Sequence, residues 1–286
     1  MQEIRKTEEE SRRLRATGLK AQGAWLGWTS VESRPILAGD LLKSPEASLS
    51  FFLRALSDTL PTPVNLQLWK KTDNPMCTLC KKEPASLRHI LSSCKVALSE
   101  HRYTWRHNQV LKEVSTLVSE VRVAAPKESP IRKIAFVREG EQGKVGQTRK
   151  RHEATGLLGS ALDWKVQVDI GRQLVIPNNI VETNLRPDMI VTSESTKNIV
   201  LIELTVPWED RIDEAHELKR SKYEPILLDA QRNGWTTHNF PIEVGCRGFA
   251  GRSLTRLFKS LGMHGREVKK ACLSVSAVAE RCSRWL

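Results

Sequence analysis

Two sets of side chains in this sequence have the types and spacings that metal chemistry requires. The first is built on Asp188 and Glu203, which are separated by two short apolar runs flanking a polar turn. Met189, Ile190 and Val191 form one run, and Ile199 to Val206 form the other, β-branched and almost continuously apolar apart from Glu203 and Thr205. Such runs predict strands, and the turn from Thr192 to Asn198 predicts a hairpin that brings the two carboxylates together. A buried acid is costly unless it is paired or bound to a cation. Hard divalent cations take carboxylate and backbone oxygens. Asp188, Glu203 and the Leu204 carbonyl are therefore candidate ligands for Mg²⁺ or Mn²⁺, whose chemistry in phosphodiester hydrolysis would be water activation and oxyanion stabilisation. The same spacing also suits a solvated loop aspartate and an edge-strand glutamate.

The second set is Cys77, Cys80, His89 and Cys94, spaced C-x2-C-x8-H-x4-C. Three thiolates and one imidazole make a tetrahedral Zn²⁺ set with every position filled, so a structural zinc is expected rather than hydrolytic chemistry at that metal. Leu87, Ile90 and Leu91 would form the apolar side of a short ligand-bearing helix. Cys246, Cys272 and Cys282 have no comparable neighbours and read as ordinary thiols.

Arg186-Pro187-Asp188, Glu203 and Lys219 together resemble the PD-(D/E)xK nucleases, and more closely the restriction-like endonuclease of site-specific non-LTR retrotransposons. The commonest version of the motif has a lysine two residues after the second acid, where this sequence has Thr205. In the retrotransposon branch the basic residue is displaced to the following helix, which makes Lys219 in AHELKRSKY the counterpart and Lys222, one turn on, the alternative. The cysteine-histidine set is similar to a gag-type zinc knuckle with a lengthened middle spacing, and that family also places such a motif before the nuclease, followed by a tract comparable to Arg106-His107-Asn108. The resemblance implies an α/β restriction-endonuclease-like core that cleaves duplex DNA with Mg²⁺ or Mn²⁺, acts in the nucleus, and works with a reverse transcriptase domain outside this chain and with element RNA. In that setting Arg106 would hold phosphate while His107 and Asn108 fix the zinc module to the nuclease.

The elements needed to hold these residues can be read around them. Asp210 to about Arg232 carries Ile212, Ala215, Leu218, Lys219, Lys222 and Ile226 near helical spacing, so Lys219 would border a packed face and point toward the preceding strand. His216 reads as a surface or supporting residue. Strands are expected over Trp164–Ile170, Leu174–Ile176 and Trp235–Cys246. Helices are expected over His101–Val118, Ser253–Leu261 and Glu267–Arg281, and over Ser44–Leu60 with Leu49, Phe52, Leu53 and Leu56 as its apolar stripe. The chain thus divides into a helical connector (1–70), a zinc module with adjoining helix (71–125), a basic linker (126–151), the α/β core (152–249) and basic C-terminal helices (250–286).

The 286 residues carry 45 Lys or Arg against 33 Asp or Glu, a formal +12, which favours a polyanionic partner. Lys144, Arg149, Lys150 and Arg151 in the linker, Arg186 and Lys222 by the acid pair, and Arg252 and Arg256 near the C-terminus are candidate DNA contacts. From Arg247 onward there are nine Lys or Arg and two Glu, a net +7. No apolar run approaches membrane-spanning length, Met1 is followed by charged residues, and six cysteines are too few for a disulfide scaffold, so a soluble, intracellular protein with no membrane partner is expected. Two other readings remain open: a nucleic-acid-binding domain whose nuclease has decayed, and a structural connector of a retroelement polyprotein.

Overall fold

The computed structural model describes residues 2–34, 44–124, 156–171 and 174–286, together with Gly39 and Leu42. The linker at 126–151, with Lys144, Arg149, Lys150 and Arg151, lies outside the described residues. The architecture is mixed α/β. Helices α1 (Gln2–Thr17), α2 (Lys20–Leu26), α3 (Glu46–Leu56) and α4 (Pro63–Leu68) precede the cysteine-histidine segment, which ends in a π-type turn at His89–Ser93. Then follow α5 (Lys95–Ser99), α6 (Arg102–Ala124), β1 (Lys165–Val168), β2 (Met189–Ser193), β3 (Asn198–Thr205), α7 (Ile212–Arg232), β4 (Thr236–Glu243), α8 (Arg252–Leu261) and α9 (Arg266–Arg284).

The four strands form one sheet in sequence order, β1 to β3 antiparallel and β3 to β4 parallel, with α7 as the crossover between the parallel pair. Strand β3 is apolar on both faces because both are covered. Val200, Ile202 and Leu204 pack into a core with Val110, Leu111 and Val114 of α6, Leu254 and Phe258 of α8, and Val275 and Ala279 of α9. Ile199 and Leu201 face the other way, onto Tyr223, Ile226 and Ala230 of α7. The helix expected to adjoin the zinc module, and the basic C-terminal helices, therefore share one apolar core with the sheet.

Three local expectations are corrected. Leu174–Ile176 joins no sheet, although Leu174 and Ile176 are buried against α7. In α3 the buried residues are Phe51, Phe52 and Ala55, and Leu53 is exposed, because the helix turns toward Leu87, Leu91 and Cys246 and sets Phe52 against the Phe249 ring. In α7 it is Tyr223 that is buried, while Leu218 lies in solvent. No helix among the described residues is long and apolar enough to cross a membrane.

Candidate functional site

The hairpin of β2 and β3 creates the acid pair. Met189 pairs with Ile202, so the next position along the register sets Asp188 opposite Glu203. Each carboxylate is held by the other strand's backbone: Leu204 N–H donates to Asp188 Oδ2 at 2.8 Å, and Asp188 N–H donates to Glu203 Oε2 at 3.0 Å. Glu203 is only 2% exposed, and its second oxygen meets Lys219 Nζ at 2.5 Å. Helix α7 delivers that lysine because Ile212, Tyr223 and Ile226 seat the helix on the sheet and leave Lys219 at the border of the packed face. Lys222 Nζ is farther from the acid, 3.8 Å from Glu203 Oε1, and donates to Tyr223 Oη at 3.0 Å.

Tyr223 is a participant that sequence reasoning passed over. Its hydroxyl donates to the Arg186 carbonyl at 2.8 Å, so it ties α7 to the Arg186-Pro187-Asp188 loop. Burial first and the nearby Glu203 second push its ionisation far above the ordinary tyrosine range, which keeps the hydroxyl neutral and able to donate. The apolar periodicity of α7 carried that signal, since Tyr223 lies three residues before Ile226.

Arg106 of α6 does not have the place expected of it. Arg106 is 2% exposed and donates to the Ser283 hydroxyl, the Leu91 carbonyl and the Val206 carbonyl. It cannot reach phosphate; it joins the cysteine-histidine segment, α9 and the end of β3. His107 points into the acid pair, with Nε2 3.1 Å from Asp188 Oδ2 and 3.2 Å from the Leu204 carbonyl oxygen. Burial works to lower this imidazole's pKa, but the hydrogen bond and charge of Asp188 outweigh it, and the group sits above its ordinary value. Asp188 Oδ2, the Leu204 carbonyl and His107 Nε2 are thus convergent donors of types that a divalent cation accepts.

A second buried acid, Glu243, pairs in register with Thr205 and lies beside His216 of α7. It accepts from the Ser253 hydroxyl at 2.6 Å and lies 3.1 Å from His216 Nδ1. Burial raises its pKa, partly offset by Ser253, His216 and Arg256. His216 is therefore a supporting residue with a definite partner. Thr205 places a hydroxyl with no hydrogen-bond partner among the described residues where the common nuclease motif has lysine.

The cysteine-histidine set converges. Ligand atoms of Cys77, Cys80, His89 and Cys94 all lie within 4.8 Å of one another, and Cys80 Sγ is 3.5 Å from His89 Nε2. A tetrahedral zinc with Zn–S of about 2.3 Å and Zn–N of about 2.0 Å needs sulfur and nitrogen about 3.5 Å apart. Glu83 Oε2 sits 3.1 Å from His89 Nδ1 and can hold the proton on that side, leaving Nε2 for metal. Backbone N–H groups of Lys82 and then Glu83 lower the Cys80 thiol to about 7 against the opposing effect of burial. The four residues could coordinate a structural zinc ion. Tyr103 Oη, within 3.0 Å of the Cys94 backbone nitrogen and 2.9 Å of the Ile90 carbonyl oxygen, anchors the ligand-bearing turn to α6.

Among the remaining candidate DNA contacts, Arg186 is exposed beside the acid pair, and Arg252 and Arg256 are exposed at the start of α8. No protein-family profile matches this chain, and no curated protein matches it either.

Proposed function

We propose that this protein is a metal-dependent DNA endonuclease with a PD-(D/E)xK-type core, derived from a non-LTR retrotransposon, whose displaced lysine is Lys219. The reading is carried by one observation: a hairpin sets Asp188 opposite Glu203, and a lysine from the next helix lies 2.5 Å from Glu203 in a site that also holds the Leu204 carbonyl. A divalent cation bound there by Asp188, Glu203 and the Leu204 carbonyl would lower the pKa of a bound water and offset phosphate charge. Lys219 positions that water or balances charge developing on the phosphate, and Tyr223 holds the Arg186-Pro187-Asp188 loop in place. Arg186, Lys222, Arg252 and Arg256 are the candidates among the described residues for tracking the DNA backbone. Strand cleavage would leave an end usable by a reverse transcriptase, and duplex DNA in the nucleus, with element RNA as a second partner, is the setting that reading implies. The zinc module would position nucleic acid against the core.

The test is incubation of purified protein with duplex, nicked and branched DNA in Mg²⁺ or Mn²⁺, beside an Asp188→Ala control. Cleavage above that control supports the nuclease. Binding without cleavage would favour a decayed nucleic-acid-binding domain, the reading that Thr205 at the usual lysine position supports.

A further inference from the structure

The placement of His107 goes beyond the acid-acid-lysine pattern, and we infer that His107 is a protein ligand of the divalent cation, through Nε2, beside Asp188 Oδ2 and the Leu204 carbonyl. The inference rests on the reading of that site as a metal-dependent nuclease centre.

Three features of the geometry carry it. Neighbouring ligands on an octahedral cation with bonds of about 2.1 Å stand about 3.0 Å apart. His107 Nε2 is 3.1 Å from Asp188 Oδ2 and 3.2 Å from the Leu204 oxygen, so its two separations match two edges of one coordination shell. Second, the far nitrogen has a partner of its own: Asn108 Oδ1 stands 3.2 Å from Nδ1, while the two oxygens face Nε2. With Nδ1–H donating to Asn108, the Nε2 lone pair and the two oxygens opposite it would be free to share a cation. A partner on the far nitrogen is how ligating histidines have their tautomer fixed. Third, the ring is delivered by a fixed element. Arg106, one residue earlier, joins α6 to α9 and to the end of β3, and Val110, Leu111 and Val114 are fully buried in the core.

A nitrogen donor has a consequence for metal choice. Mg²⁺ favours an all-oxygen shell, whereas Mn²⁺ and later metals accept imidazole readily. The site would bind Mn²⁺ more tightly than Mg²⁺, with His107 responsible for much of the difference.

Full-length protein, already zinc-loaded at its cysteine-histidine site, is titrated with Mn²⁺ without DNA and followed by calorimetry and by electron spin-echo envelope modulation. The expected result is binding that Asp188→Ala abolishes, with ¹⁴N modulation from a directly bound nitrogen. His107→Ala should remove the modulation and weaken Mn²⁺ by at least about tenfold, a loss that even outer-shell partners of a metal produce. His107→Glu, which restores an oxygen donor and guards against a misfolded alanine variant, should bind Mn²⁺ without ¹⁴N modulation and narrow the preference over Mg²⁺. Mn²⁺ binding that depends on Asp188 but shows no ¹⁴N modulation, or modulation that survives in both His107 variants, overturns the assignment of His107 while leaving the acid site standing. Failure of wild-type protein to bind Mn²⁺ at all overturns both.

Discussion

Lys219 Nζ lies 2.5 Å from Glu203 Oε1, and the Lys222 ammonium one turn further along the same helix is 3.8 Å from that oxygen. The two lysines are thus ranked by distance to the same acid. Lys219→Ala is expected to lower the single-turnover rate of DNA cleavage by about 10²- to 10³-fold, the scale of losing one positioned donor, with Lys222→Ala costing less than about tenfold. Lys219→Arg should fall between, because it keeps charge but changes shape. Full activity of Lys219→Ala alongside loss in Lys222→Ala would move the assignment one helical turn; full activity in both would remove either lysine from the chemistry. Since Glu203 is buried, thermal denaturation of each variant separates a lost rate from a lost fold.

Arg106→Ala should destabilise the protein by about 3 kcal/mol, because it strands the buried Leu91 carbonyl, the half-buried Val206 carbonyl and the buried Ser283 hydroxyl together. Arg106→Lys is expected to recover only part of that, since an ammonium cannot reproduce the guanidinium fork. Denaturant titration reads the loss. The salt dependence of DNA binding by the folded fraction should not change, and a shallower slope would return Arg106 to the phosphate-contacting set.

The burial of Arg106 shows where sequence reading stops. The hairpin that brings Asp188 and Glu203 together follows from the apolar runs on either side of the polar turn, and the four converging cysteine and histidine positions follow from their spacing, because both are local patterns. Which side of a helix faces which neighbour is not local. Arg106 is buried because α9 and the end of β3 close over it from far along the chain, and nothing within RHN distinguishes it from a solvated arginine. The same holds for Leu53 and Leu218, apolar residues left exposed, and for Glu243, whose burial depends on Ser253 and His216 arriving from two other elements.

Cys77→Ala or Cys94→Ala should release zinc and loosen the segment from Cys77 to Cys94, with elemental analysis as the decisive measurement. Leu87 and Leu91 of that segment pack on Phe51, Ala55 and Cys246, so α3 should loosen with it, while the sheet and its main core, formed by other residues, persist in far-ultraviolet circular dichroism. Wild-type protein that contains no stoichiometric zinc and fails to take it up in competition would remove the structural-site assignment.

Glu280 gives a pH dependence of defined sign. It is buried in α9, and desolvation raises its pKa above the ordinary carboxylate value despite Arg34 and Arg284. The folded state therefore holds this proton at pH values where the unfolded chain has lost it, so its contribution to stability falls as pH rises from the unfolded pKa through the folded one. Glu280→Gln, which cannot ionise, should leave stability unchanged below that window and raise it above. Denaturation of the two proteins across pH 4 to 8 reads the difference; a gap that is constant with pH would show that Glu280 does not titrate differently on folding.

Arg252 and Arg256 stand four residues apart on the exposed side of α8, whose other side buries Leu254, Leu257, Phe258 and Leu261 in the core. Residues at that spacing are neighbours on a helix surface, so in the proposed complex the pair would present two positive charges to one stretch of phosphate backbone. Each contact of this kind releases counterions and contributes about 0.9 to the slope of log affinity against log salt on duplex DNA. Arg252→Ala should accordingly weaken binding to unrelated duplexes by a similar factor and flatten the slope by about 1, and the double variant by about 2. Arg252 is the cleaner probe, because Arg256 also offsets the charge of buried Glu243 and its removal perturbs that cluster. Cleavage under saturating protein should be close to wild type for Arg252→Ala, since the residue acts on affinity alone. A sequence-dependent loss, or an unchanged salt slope in both variants, would take α8 out of the DNA interface and leave the net +7 from Arg247 onward without that role.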